Sequence, residues 1–360
     1  MKKLTDLVMM DENKDKMLKI TGAAPEISWL CRDEGRKVRV HMAGLGDVGQ
    51  NVAIGLTTLG GEKISGLGLY DLNEMQCRRM QTELSQIADP FTGRVFPHIK
   101  LLKKEELFDC DVFLFCATRS VPDLNSGITD VRMAQYAANK PIVESYAGQA
   151  AEDGYRGLFI VVSDPVDLLC LAAARTGCGQ VQQPQSQKEF SSQKKQPPAG
   201  RPVHPLHPLQ FQGCGLGVMN ARAAYYARQD SRFSVYLEEG RAFGPHGKDL
   251  VIANSILPEH YDESLSEELT DLTVSANHRV RALGFKPFIA PAYSSAVFTV
   301  LAILSGEYNY SACYLNGLYF GAKNRTTPDG ADWEIRDLPD PLFARLERAY
   351  RNLEESGYSE

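Results

Sequence analysis

Residues 37–71 read KVRVHMAGLGDVGQNVAIGLTTLGGEKISGLGLYD. Val38, Val40 and Met42 alternate with polar residues, which is the period of a strand. Ala43-Gly44-Leu45-Gly46-Asp47-Val48-Gly49 follows directly and contains G-x-G-x-x-G. Val48, Val52, Leu56 and Leu59 then recur at helical spacing, and Gly60-Gly61 closes that helix. A second strand, 66–70, ends on Asp71. A lone glycine triplet says little. Set between a strand and a helix, with an acidic residue about 20 positions on, it is a dinucleotide-binding fingerprint.

Each position has a chemical reason. Gly44 lets the chain turn out of the strand, Gly46 has no Cβ to hold a pyrophosphate off the backbone, and Gly49 lets the helix pack close. The helix start at Asp47 and Val48 offers free N–H groups and a partial positive charge to phosphates. Asp71 can accept from both ribose hydroxyls and would repel a 2′-phosphate, which points to NAD rather than NADP.

The 360 residues are enough for two lobes and a sizeable core. Formal net charge is -6 and the sequence pI about 5.7, which argues against nucleic acid or an anionic membrane surface as the main partner. No apolar run of about 18 residues is present to span a bilayer. The N-terminal apolar run is too short for a signal peptide. Eight scattered cysteines without C-x-x-C read as buried thiols in a reducing cytoplasm.

Strand and helix patterns alternate from 37 to about 176, including the continuous apolar runs 111–117 and 158–163. This predicts an α/β fold, a Rossmann doubly wound parallel sheet, followed by an α+β substrate domain. Residues 1–36 read as an N-terminal arm with Leu4, Ile27 and Trp29 as anchors, 37–176 as the nucleotide-binding domain and 211–360 as the substrate domain. Between them, 177–210 is rich in Gln, Pro, Ser and Lys and reads as a mobile low-complexity insertion. His204 and His207 form H-x-x-H there, but no helix aligns them and no carboxylate is near, so no metal site is expected. Pro141 is expected to open a short strand, PIVESYA, and Ser234–Tyr236 another; helices are expected over 269–283, 291–304 and 341–356.

The ordered motifs resemble the NAD-dependent lactate/malate dehydrogenases from about Val38 to the end, apart from the insertion. Val162-Ser163-Asp164-Pro165-Val166-Asp167 resembles that family's V-S-N-P-V-D turn. Met219-Asn220-Ala221-Arg222 resembles its D-S-A-R stretch, and Gly244-Pro245-His246-Gly247 its G-E-H-G loop. Ser294-Ser295 falls where the family helix lines the nicotinamide pocket, which makes Ser295 a candidate substrate contact. The resemblance implies hydride transfer between NAD and a small anionic hydroxy or oxo acid, in a homodimer or homotetramer. It puts His246 at the proton-exchange histidine, Arg222 at the carboxylate clamp and Arg119 near the cofactor phosphates.

Three positions depart from the family pattern. The aspartate partner of the histidine is Met219, with Asn220 next to it but pointing about 100° away on a helix. The turn asparagine is Asp164. Ungapped counting puts Gly127 at the mobile-loop arginine, and Arg132 is the nearest later candidate. One charge is lost at 219 and one gained at 164, so Asp164 is expected to serve His246 from the other side. A second reading, an NAD(H)-binding sensor or partner subunit without turnover, draws on the same Met219 and Asp164.

Cofactor choice is directly testable. Dissociation constants for NADH and NADPH, read by fluorescence, should favour NADH, and Asp71→Ser should narrow the gap. Equal or tighter NADPH binding by the unsubstituted protein would contradict the reading of Asp71.

Overall fold

Strand β1, Val38–Ala43, lies near the middle of a nine-stranded sheet in the computed structural model, which describes residues 2–20, 36–119, 131–180, 204–328 and 330–358. Parallel neighbours flank it: β2 (Ile64–Tyr70) on one side and β4 (Val112–Phe115) on the other. Beyond them lie β3 (His98–Leu101), and on the far side β5 (Leu158–Val161) and β6 (Phe211–Gly213), all parallel. The order 3-2-1-4-5-6 is the doubly wound one, with its switch point between β1 and β4.

The sheet then continues. Strand β9 (Asn309–Leu315) joins β6 antiparallel at Gly213 and Ala312, and β10 (Leu318–Thr327) and β11 (Gly330–Trp333) follow as antiparallel neighbours. The substrate lobe therefore extends the sheet of the first lobe. Only the ribbon of β7 (Arg241–Phe243) and β8 (Val251–Ala253) stands apart.

Alternation along the central strands builds two cores. Phe113, Phe115, Phe159 and Val161 face a cluster closed by α3 (Val131–Glu152), α4 (Val166–Gly177) and α9 (Asp340–Tyr358). Val112, Leu114, Leu158 and Ile160 face the opposite cluster, closed by α1 (Asp47–Leu59), α2 (Glu74–Leu84), the π-wound turn Pro291–Val297 and α8 (Phe298–Leu304). These strands are buried on both faces, as their unbroken apolar runs require. A third cluster lies between α5 (Leu216–Ala227), the short α6 (Tyr236–Glu239) and α7 (Glu263–Ala282). No helix among the described residues is long and apolar enough to cross a membrane. The seven described cysteines are unpaired.

Three expectations are corrected. The PIVESYA stretch is not a strand but the second half of α3, with Pro141 inside the helix. Val143, Ala147 and Ala150 are buried at helical spacing, and this packing outweighs the hydrogen bond lost at Pro141. Ser234–Tyr236 is not a strand either. The Asp230 side chain caps a 3₁₀ turn at 231–233, Phe233 and Tyr236 are buried three residues apart, and the strand comes later, at β7. The insertion is shorter than expected, since its last residues belong to the fold. Leu206 is buried and its N–H donates to the Gly177 carbonyl, 2.9 Å, while the Gln210 amide donates to Gly157 O, 2.9 Å, and accepts from His207 N, 2.8 Å. The arm, over 2–20, packs on its own chain: Leu4, Leu7, Met9 and Leu18 join the α9 core and Met10 N–H donates to Glu354, 2.8 Å. Its expected anchors Ile27 and Trp29 lie outside the described residues.

A short Gly/Ser linker in place of 181–203 should leave the denaturant midpoint and NADH binding unchanged, because loop length costs little closure entropy. Gln210→Leu in the full chain should instead cost about 2–3 kcal/mol, since it strips partners from buried backbone groups. Loss of solubility in the linker variant would show that 181–203 is part of the core.

Candidate functional site

The carboxyl ends of β1, β2 and β4 open onto one crevice, where a doubly wound sheet binds its ligand. Gly44 has φ +98°, and a Cβ there would lie 2.4 Å from Ala117 N. A Cβ on Gly49 would lie 2.0 Å from the Gly44 carbonyl oxygen, so α1 can approach β1 only through glycine. Gly46 is different: no protein atom lies within 4 Å of the Cβ it lacks. Its bare backbone faces the crevice, and no side chain caps the helix that starts at Asp47. This cradle fits a pyrophosphate.

The crevice has a volume of about 640 Å³ and is lined by Gly44, Gly46, Asp71, Arg119 and Tyr146 among others. Asp71 accepts from Leu45 N–H at 2.6 Å and Asn73 N–H at 2.9 Å, which orients its carboxylate at the end of β2. The Arg119 side chain is exposed at the mouth. Val48 is half-buried behind Asp47, which is exposed and lies 4.0 Å from Lys286. Burial pushes the Cys116 thiol in the crevice up to about 12, so it is no nucleophile.

Asn139 is fully buried in α3. Its amide donates to Thr118 Oγ1, 3.1 Å, and to the Asp164 carbonyl, 2.9 Å, while its oxygen accepts from Arg119 N–H, 2.9 Å. It ties the loop after β4 to the turn after β5. The only sequence signal was one asparagine among alanines and tyrosines.

The turn after β5 carries two carboxylates with different duties. Asp164 Oδ1 lies 2.9 Å from His246 Nδ1. Asp167, at the start of α4, accepts from the His246 backbone N–H at 3.1 Å and pairs with Arg132 at 3.6 Å. One carboxylate holds the imidazole and the other holds the loop that carries it. That loop links β7 to β8, and Gly244 (φ +84°) and Gly247 (φ +146°) give it the left-handed backbone that other residues resist.

The two carboxylates titrate in opposite directions. Protein crowds Asp164 on several sides although 48% of its side chain stays exposed. Burial raises its carboxyl, but His246, then Arg132 and Arg222, outweigh this and hold it below the usual carboxylate range. At Asp167 burial wins over Arg132 and the His246 N–H, and the carboxyl is pushed up. A lowered carboxyl contributes stability that is complete above its unfolded value of about 3.9 and is lost as pH falls through the lower folded value. Asp164 is therefore ionised across the physiological range.

Other candidates meet different fates. Arg222, in α5, is partly buried, and burial lowers its pKa against the pull of Tyr226 and Asp164. Its guanidinium bonds closely to Asn277 Oδ1 and lies 3.6 Å from Met219 Sδ. Asn220 accepts from Tyr236 O–H at 2.8 Å and so faces α6. Ser295 is corrected. It is 3% exposed, accepts from Val218 N–H at 2.9 Å and donates to the Gly215 carbonyl at 2.7 Å, so it fastens the start of α5 rather than facing a substrate. The Gly127 position lies outside the described residues, while Arg132, at the first turn of α3, reaches the His246 loop. His207 is buried and its Nδ1 accepts from Leu209 N–H, 3.2 Å.

Residues 38–184 match the family model for lactate/malate dehydrogenase, NAD binding domain, which makes NAD the cofactor of this crevice. No curated protein matches the chain significantly. Among solved structures, malate dehydrogenase from Picrophilus torridus in its apo form is similar at 16% identity and TM-score 0.67, covering 89% of this chain and 97% of that one. A minor L-lactate dehydrogenase from Enterococcus mundtii gives 18%, 0.67, 90% and 99%. Malate dehydrogenase from Archaeoglobus fulgidus in complex with NADH gives 16%, 0.65, 89% and 99%. At these identities the likeness is one of fold.

The three glycines should separate by experiment. Gly46→Val should leave the melting temperature within a degree or two and weaken NADH binding at least tenfold, because its side chain enters only the crevice. Gly49→Ala should lower the melting temperature outright, because its methyl meets the Gly44 carbonyl. The opposite pattern would contradict the cradle.

Proposed function

Because residues 38–184 match the lactate/malate dehydrogenase NAD-binding domain, we propose that the chain is an NAD-dependent oxidoreductase acting on a small anionic substrate, with His246 and Asp164 as its acid/base pair. The observation that carries this reading is the 2.9 Å contact between His246 Nδ1 and Asp164 Oδ1.

Bound NAD supplies the hydride acceptor, and NADH the donor. The protein handles the proton and the anion. An ionised Asp164 accepts a hydrogen bond, so it fixes the imidazole proton on Nδ1 and leaves the Nε2 lone pair to take a proton. Nε2 takes a proton from the substrate as the reacting carbon is oxidised and returns it in reduction. The imidazolium formed on the way is stabilised by the same carboxylate. Asp167 holds the loop backbone, which keeps the ring in place when its charge changes. Arg222 offers a fork that suits a carboxylate, and Arg132 brings a second guanidinium to the His246 loop. In this reading Arg132 is the counterpart of the family's second arginine, and Asp164 replaces the aspartate lost at Met219.

The second reading, a protein that binds NAD(H) without turnover, is favoured by one observation: the Arg222 guanidinium already bonds to Asn277. Closure on a substrate would have to exchange that bond.

Substitutions separate the two. On whichever substrate shows turnover, His246→Gln and Asp164→Asn should each cut kcat by about 10²-fold or more, and the double variant should lose little beyond the worse single one, as for residues acting as a unit. Arg222→Lys should raise KM for a carboxylate substrate and leave NADH binding intact. NADH binding at micromolar level with no change in NADH absorbance across hydroxy, oxo and amino acids would favour the second reading.

A further inference from the structure

The charges of the site decide what it accepts. Arg132 is taken up chiefly by the buried Asp167, at 3.6 Å, although its charge also reaches Asp164. Arg222 and Asp164 remain, one positive and one negative, beside His246. With a neutral imidazole the pair sums to zero. A substrate bearing only a carboxylate would occupy Arg222 and leave the Asp164 charge without a partner on the substrate.

Asp164 also has a free face. Its Oδ1 is bonded to His246, no donor among the described residues reaches Oδ2, and 48% of the side chain is exposed. A hydroxyl can donate to that oxygen, but the oxo group it becomes is an acceptor only, and two acceptors would then face each other. Hydride transfer has to accommodate both redox states. A carbon–nitrogen substrate meets the condition in both, because ammonium and iminium each carry N–H donors and a positive charge.

We propose that this site, read as above with His246, Asp164 and Arg222 as its working groups, takes a zwitterion: a 2-amino acid whose carboxylate meets Arg222 and whose nitrogen, on the reacting carbon, meets the free oxygen of Asp164. In oxidation the Cα–H bond breaks and its electron pair and hydrogen leave as hydride to NAD. The nitrogen lone pair, exposed when the ammonium gives one proton to His246 Nε2, forms the C=N bond of the iminium. One hydride and one proton leave the substrate, NADH forms and His246 becomes imidazolium, so charge and electrons balance. Water then converts the released iminium to oxo acid and ammonium. Desolvated carboxylate–ammonium pairing favours this substrate over its hydroxy counterpart, and removing the Asp164 charge should reverse that preference.

The test uses the full-length protein and pairs of matched skeletons, alanine with lactate and aspartate with malate, followed by NADH absorbance. The amino acid of a pair should have a kcat/KM at least tenfold higher, and reduction of pyruvate or oxaloacetate should require added ammonium chloride. Calorimetric binding to the protein–NADH complex gives a second readout without turnover. The amino acid should bind more tightly than the oxo acid of the same skeleton, and Asp164→Asn should shift that ratio at least tenfold toward the oxo acid. Preference for lactate or malate, or a binding ratio that Asp164→Asn leaves unchanged, overturns the inference while the dehydrogenase reading stands. No turnover and no binding of either class, with NADH still bound, overturns both.

Discussion

The candidate site hangs on the turn between β5 and α4. Asp164 and Asp167 sit one helical turn apart there, and they hold the same neighbour in two ways, one by its ring and one by its backbone. Holding a histidine ring alone would leave its loop free to swing; holding the loop alone would leave the tautomer open. The two carboxylates differ in environment as well as duty. Asp164 keeps an open face and meets three cationic or donor groups, so it stays ionised. Asp167 is buried with one guanidinium at 3.6 Å, and its burial cost is only partly offset.

That turn is itself positioned by the nucleotide-binding half. Ser163 O–H donates to the Ala117 carbonyl at 2.8 Å, and Asn139 joins Thr118, Arg119 and the Asp164 backbone in one buried network. The loop after β4, which carries Arg119, and the turn that carries Asp164 are thus tied together by one side chain. A shift of that loop would be felt at Asp164 and His246.

Much of this was legible in the sequence because the signals were local. The glycine fingerprint, the buried strand runs and Asp71 are readable from spacing alone, since their causes lie within about 35 residues. The pairing of His246 with Asp164 was legible only as a charge lost at Met219 and regained across the site. What failed had nonlocal causes. Pro141 hides the 3.6-residue period that Val143, Ala147 and Ala150 complete against α4, and that period matters only once the opposing helix is present. Ser295 looked like a pocket residue until the start of α5 arrived to take both its hydrogen bonds. Arg132 lay beyond an ungapped count because loop length is not constrained by the chemistry at its end. Asn277, 55 residues from Arg222, had no local signature at all.

The separation of the two lobes in sequence is closed by the sheet. Asp164 follows β5, while His246 belongs to a loop whose Gly244 N–H donates to the Gly321 carbonyl of β10, at 2.8 Å. Between them the chain runs β5, β6, β9, β10 as hydrogen-bonded neighbours, so the distance between aspartate and imidazole is set by strand spacing rather than by a hinge. A Cβ on Gly321 would lie 2.5 Å from the Gly244 carbonyl oxygen, which means the His246 loop lies directly on the strand. In many two-lobed enzymes acid and base meet by closure. Here Asp164 and His246 are already in contact on elements joined by main-chain pairing, and Arg222 is already bonded to Asn277.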